Sequence, residues 1–105
     1  MITSAPSRNE VVARLQNAET EIRGLGVRRL ALFGSIVRDE ARAESDVDIL
    51  VEFDADAKTF DAFLALCDLL ETLLERPVEL VTTEALSPFV GPHILAEAED
   101  VLRAA

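Results

Sequence analysis

Basic residues are scarce in this chain: ten Lys and Arg stand against twenty Asp and Glu in 105 residues, a formal charge of −10 at pH 7. Affinity for DNA or RNA rests largely on Lys and Arg neutralising phosphates, so this balance argues against a nucleic-acid partner. It suits a basic protein partner, because charge complementarity speeds encounter. Cysteine is limited to Cys67, which excludes an internal disulfide. Cys67 falls among Phe63, Leu64, Leu66 and Leu70 at helical spacing and reads as a buried structural thiol. Long apolar runs are missing too. The longest, Phe60 to Leu74, is interrupted by Asp61, Asp68 and Glu71 and cannot span a bilayer, so no membrane association is expected. Met1 to Pro6 lacks a basic stretch followed by an apolar one, so no secretory signal is expected and a cytoplasmic location is.

Half of the residues are hydrophobic, enough for a globular chain rather than a disordered one. A chain of this length reads as a single domain over residues 1–105, burying ~65% of the surface its unfolded form exposes. No repeat, low-complexity tract or internal linker interrupts it. Ser7-Arg8-Asn9-Glu10 forms a capping box, followed by a helical stripe of Val11, Leu15, Ala18 and Ile22 that ends near Gly24 or Gly26. Val27 to Phe33 is a first strand, Ile36 to about Glu40 a short helix, and Asp46 to Phe53 a second strand. Thr59 caps a long helix with Phe60, Phe63, Leu64, Cys67, Leu70 and Leu74 on one side, and Pro77 marks its exit. Val78 to Val81 is a third strand. Pro92 suits the start of a last helix with the stripe Ile94, Ala98, Val101 and Leu102. This alternation predicts an α/β (α+β) fold, a small mixed β-sheet flanked by helices.

Two short patterns concentrate the chemistry. Side chains at i and i+2 on a strand share a face, so Asp46 and Asp48 present two carboxylates together while Val47, Ile49, Val51 and Phe53 face the core. Adjacent carboxylates repel, and without a cation at least one should have a raised pKa. A hard divalent ion such as magnesium resolves that conflict, completing its shell with water and phosphate oxygens. Ten residues before this pair stands Gly34-Ser35. Gly34 allows a positive φ and a close approach of the backbone to a ligand. Ser35 can cap the turn that follows or donate its hydroxyl to a phosphate, and Arg38 can reach the same phosphates as a planar fork. Alone, Gly-Ser is also an ordinary turn and Asp-x-Asp also a solvated face. Arg38 alone could simply pair with Asp39, Glu40 or Glu44, and Ser45 could simply close the turn before the strand. The combination, in strand–turn–helix–strand order, is far more specific.

The pattern G-S-x10-D-x-D, Gly34-Ser35 through Asp46-Val47-Asp48, resembles the minimal nucleotidyltransferases of the polymerase-β superfamily. The likeness runs along Leu32-Phe33-Gly34-Ser35, Arg38 and Glu40 to Ser45-Asp46-x-Asp48-Ile49-Leu50-Val51, and spans roughly residues 8 to 103. It implies the nucleotidyltransferase fold, with Asp46, Asp48 and a third carboxylate on the neighbouring strand acting as catalytic and metal-binding residues. Here the third position is Glu79 where the family usually has Asp, and Asp39 stands where it often has Gly. Gly34, Ser35 and Arg38 are then the nucleotide-binding residues. The resemblance further implies two magnesium ions, ATP as substrate, and attack of a hydroxyl at the α-phosphorus with release of pyrophosphate.

Minimal nucleotidyltransferases of this size resemble antitoxins paired with a HEPN-domain ribonuclease toxin, which implies transfer of AMP to a tyrosine of that toxin within a hetero-oligomer. This chain contains no tyrosine, so it cannot be its own tyrosine acceptor. Two alternatives stand beside this reading: the same fold neutralising a toxin by contact alone, and a nucleotidyltransferase of a small molecule, which normally needs a further domain.

Overall fold

The computed structural model describes residues 7–42, 45–89 and 91–103. Met1 to Pro6, where no signal was read, and Glu44, one candidate partner of Arg38, lie outside them. The described chain begins with α1 (Arg8–Asn17) and α2 (Glu19–Gly24), then β1 (Val27–Phe33), a 3-10 turn (Gly34–Ile36) and β2 (Val47–Phe53). A second 3-10 turn (Ala55–Ala57) leads to α3 (Phe60–Leu74), β3 (Val78–Thr82), a third such turn (Thr83–Ala85), α4 (Gly91–Glu97) and β4 (Glu99–Leu102). The strands form one sheet in the order β3-β2-β1-β4. β2 and β3 run parallel, whereas β1 is antiparallel to β2 and to β4. The mixed sheet with flanking helices is the α+β arrangement expected from the sequence.

Strand alternation divides the apolar residues between two faces. Leu30 and Leu32 of β1, Val47, Ile49 and Val51 of β2 and Val78 of β3 join Val11, Leu15 and Ile22 from α1 and α2 and Leu66, Leu70 and Leu74 from α3 in the main core. Each fully buried leucine or isoleucine there contributes about 1.5–3 kcal/mol of transfer free energy. The opposite face holds a small cluster, Ala31, Phe33 and Leu50, against Val81, Leu86, Ile94 and Ala98. That thin cover leaves room for polar residues beside it, and the acidic pair lies on this face.

Local signals hold at several boundaries. Ser7 Oγ accepts the backbone N–H of Glu10 at 3.1 Å and opens α1, and Thr59 Oγ1 accepts that of Ala62 at 3.0 Å and opens α3. Elsewhere the structure differs from expectation. The first helix is broken at Ala18, where φ −105° and ψ 19° leave helical geometry, although the stripe Val11, Leu15, Ala18 and Ile22 stays buried. Ile36 to Glu40 is no α-helix: the 3-10 turn ends at Ile36, and Asp39 takes a left-handed φ of 58° that a helix cannot contain. α3 buries Leu66, Leu70 and Leu74 and leaves Phe60 and Leu64 exposed, so its inner face is rotated from the expected one. Cys67 is consequently half-buried rather than buried, and that partial burial pushes its thiol pKa up. The last stripe is split between α4 and β4, because Val101 and Leu102 are buried by pairing with β1 rather than by a continuing helix. β4 covers what would otherwise be an open edge of β1, pinned by the Arg29–Asp100 ion pair at 2.7 Å.

Candidate active site

Gly34 ends β1 and begins the Gly-Ser turn with φ +77°, a conformation that costs a non-glycine residue about 1–3 kcal/mol. Space makes the same demand. A Cβ at this position would collide with Oδ2 of Asp48 and lie 3.0 Å from its Cγ. The glycine therefore lets the turn backbone press directly against the Asp48 carboxylate. Beyond it, the carbonyl of Ser35 accepts N–H groups from Arg38 at 3.1 Å and Glu40 at 2.9 Å, which folds the loop into a compact knuckle.

Asp48 sits centrally in the sheet. Phe33 of β1 is its register partner on one side and Glu79 of β3 on the other. The neighbouring residues Val47 and Ile49 are wholly buried in the main core, so alternation directs Asp48 to the thinly covered face. Asp46 lies just before β2, which starts one residue later than expected, and it is exposed, as is Glu79. The turn before the strand is closed by Ser45, whose Oγ accepts the Arg42 N–H at 2.9 Å. Partial burial, then the charges of Glu79, Asp46 and Glu97, push the Asp48 pKa from 3.8 to about 6, with Arg38 opposing them. The raised pKa expected of crowded carboxylates is thus located on Asp48.

Arg38 is half-exposed and held by two carboxylates. Its Nε donates to Glu40 at 3.0 Å, and its guanidinium also pairs with Glu97. Asp39 is turned away: its Oδ1 accepts the backbone N–H of Arg8 at 3.1 Å, at the start of α1. Its charge is engaged there, and its left-handed φ accounts for a loop position where glycine is also at ease. Sequence reasoning missed Glu97. That residue closes α4, and its Oε1 accepts the Gly34 N–H at 2.9 Å. No local pattern marks it, since only the packing of α4 on the second face brings it over the turn.

Magnesium, implied by the motif, fits the donor set. The oxygens are hard, Asp48 and Glu79 are adjacent in register, and Asp48, whose pKa is raised by partial burial and then by neighbouring carboxylates, is a group whose charged form a cation would favour. Among the described residues no three acidic, histidine or cysteine side chains gather closely enough to enclose a metal. An ion held here would complete its shell with phosphate oxygens and water, as magnesium does. A groove lined by Arg23, Val27, Arg28 and Asp54 lies at the opposite end of β1 and holds none of these residues. No helix among the described residues is long and apolar enough to cross a membrane.

Comparison with known proteins agrees with this fold. Residues 15–101 match the nucleotidyltransferase domain family. The protein adenylyltransferase MntA of Thermococcus cleftensis is 42% identical over 72 residues, covering 69% of this chain and 72% of the relative. A solved structure assigned as a minimal nucleotidyltransferase superposes with a TM-score of 0.79 at 32% identity, covering 90% of this chain and 95% of the other. A chain from the tri-AMPylated Shewanella oneidensis HEPN toxin in complex with its MNT antitoxin shares the fold, with a TM-score of 0.62 at 21% identity over 89% of this chain and 73% of that one.

Proposed function

This chain belongs to the nucleotidyltransferase domain family, and from that premise we propose that it is an antitoxin that transfers AMP from ATP to a tyrosine of a partner HEPN ribonuclease. The observation that carries the reading is the placement of Asp48, pressed against the Gly34 turn and in register with Glu79. One surface thus joins a phosphate-binding backbone to metal-binding carboxylates. The name of the Thermococcus relative and the AMPylated toxin in the Shewanella complex support the choice of a protein acceptor.

In this reading Asp46, Asp48 and Glu79 would hold magnesium, two ions in all. Bound there, the metal would polarise the phosphate oxygens and lower the pKa of the attacking hydroxyl. Gly34 and Ser35 present backbone N–H and hydroxyl donors to the phosphates, and Arg38 supplies a planar charge whose Nε side is fixed by Glu40. The tyrosine oxygen forms a bond to the α-phosphorus as the bond to the pyrophosphate oxygen breaks. With a charge of −10, the rest of the surface favours a basic protein and disfavours nucleic acid. The acting unit is the single domain of residues 1–105, within a cytoplasmic hetero-oligomer.

A second reading, neutralisation by contact alone, draws on one observation: Gly34 N–H and Arg38, both phosphate donors, are engaged by Glu97. The double substitution Asp46→Asn/Asp48→Asn separates the two. It removes two metal-binding charges and leaves the helices unchanged. With a HEPN ribonuclease as partner, ATP and magnesium, mass spectrometry of the partner should show increments of one AMP per tyrosine for the wild type and none for the variant, although both co-purify with the partner. Full suppression of toxicity by the double variant would replace catalysis with contact as the means of neutralisation.

A further inference from the structure

Glu97 is used by none of these steps, yet it sits in the middle of the site. Its Oε1 accepts the Gly34 N–H at 2.9 Å, and its other oxygen meets the Arg38 guanidinium. Its side chain is 31% exposed, so it is partly withdrawn from water. Its charge acts on Asp48 together with those of Asp46 and Glu79. A fourth carboxylate in such company is opposed by its neighbours, and the contacts that favour it are the Gly34 N–H and the Arg38 guanidinium. Two oxygens of one anion, one on a backbone N–H and one on a guanidinium, are also how a phosphate is gripped. The Nε side of Arg38 is meanwhile kept by Glu40 at 3.0 Å, so release of Glu97 frees a guanidinium edge that is already aimed.

We infer that Glu97 is an internal stand-in for a substrate phosphate, occupying the Gly34 and Arg38 donors in the nucleotide-free protein and expelled when a triphosphate binds. The inference rests on the nucleotidyl-transfer reading for the identity of the ligand. It makes the end of α4 a built-in competitor: ATP must displace a tethered carboxylate before it can use the turn. The charge of Glu97 then weakens nucleotide binding, whereas a residue that merely positioned the turn would strengthen it. The two roles predict opposite signs.

The test is calorimetric titration of wild type and Glu97→Gln with Mg·ATP and, separately, with inorganic tripolyphosphate. Glutamine keeps the length and an acceptor for Gly34 but not the charge. Both probes should bind the variant about two- to fivefold more tightly, the span expected when an exposed ion pair no longer has to be broken while the Gly34 hydrogen bond is kept. Unchanged or weaker binding in the variant overturns the inference. Tighter binding of both probes without AMP transfer to the partner upholds it while the transferase reading fails. AMP transfer by wild type with no tightening in the variant does the reverse. Should Glu97→Gln not fold, the carboxyl carbon of Glu97 in the wild type gives the answer by NMR. Its shift must move to a solvated value on saturation with Mg·ATP, and a shift that stays fixed while ATP binds refutes the displacement.

Discussion

Replacing Asp48 by Asn should stabilise this protein while disabling it. The Asp48 carboxyl is raised from 3.8 to about 6 by partial burial and by three neighbouring carboxylates. A carboxylate with a raised pKa in the folded state favours folding when protonated and opposes it when ionised. Its penalty is therefore absent below about pH 4, grows as pH rises through about 6, and is complete at pH 7.5. At ~1.4 kcal/mol per tenfold change in proton affinity the ceiling is about 3 kcal/mol. Asp48 is only half-buried, so solvent screening reduces this to about 1–1.5 kcal/mol. For a domain near 100 residues that corresponds to a rise in Tm of about 4–8 °C for Asp48→Asn at pH 7.5. Thermal unfolding followed by circular dichroism should show this gap closing as pH falls to 4. Saturating magnesium with ATP should raise the wild-type Tm and leave the variant's unchanged, because the cation relieves the same repulsion. A variant that melts at or below the wild-type temperature at pH 7.5, or a gap that persists at pH 4, would refute the assignment of electrostatic strain to Asp48.

Gly34→Ala meets both a left-handed φ and a collision with the Asp48 carboxylate. It should cost about 1–3 kcal/mol of stability and abolish ATP binding, checked by thermal melts and calorimetry; a variant that melts and binds like the wild type would contradict the close approach. Glu79→Gln changes an exposed side chain, so its melting should stay within about 0.5 kcal/mol of wild type. AMP transfer should fall by about tenfold or more, each ~1.4 kcal/mol of lost transition-state stabilisation being tenfold in rate, and Glu79→Asp should retain activity; full transfer by Glu79→Gln would leave Glu79 a solvated strand residue.

What could be read in advance follows how local each signal is. β1 was legible because Val27 and the apolar run Leu30 to Phe33 lead to a glycine, and α3 because Thr59 and Pro77 bracket it. The orientation of α3 was not legible. Phe60, Phe63, Leu64 and Cys67 compete as a stripe with Leu66, Leu69 and Leu73, and periodicity cannot choose between two overlapping apolar faces. The split of the C-terminal stripe was hidden for another reason. Ile94, Ala98, Val101 and Leu102 fit a helical period, but β4 exists by pairing with β1, some seventy residues earlier, and such pairing leaves no local mark. The short helix after Ile36 was lost to the left-handed Asp39, a conformation Asp tolerates but does not announce. Within the site, spacing pointed to the Gly-Ser turn and to Asp46 and Asp48, and the family resemblance to Glu79; the structure sets Asp48 against Gly34 and in register with Glu79. Glu97 was not legible, because its role comes only from how α4 packs on the face that holds Ala31, Phe33 and Leu50.

Core and site in this sheet are specified by the same alternation. Val47 and Ile49 are fully buried, and between them Asp48 has no position available except on the thin face. Val78 and Leu80 bracket Glu79 in the same way on the neighbouring strand, with Val78 opposite Val47 and Leu80 opposite Ile49. A slip of β3 by one residue would drive Glu79 into the main core and leave its apolar neighbours beside Asp48. Burying an unpaired carboxylate there costs far more than the repulsion tolerated between Asp48 and Glu79 on the half-solvated side. The register that gathers the carboxylates is thus enforced by the hydrophobic face opposite them, which fixes their spacing without any bond between them. That explains how carboxylates that repel one another are nonetheless held in line. The thin face has far less apolar cover than the thick one. Its few apolar residues leave Glu97 room to lie over the turn on the Gly34 N–H, while the thick face keeps Asp48 and Glu79 in line.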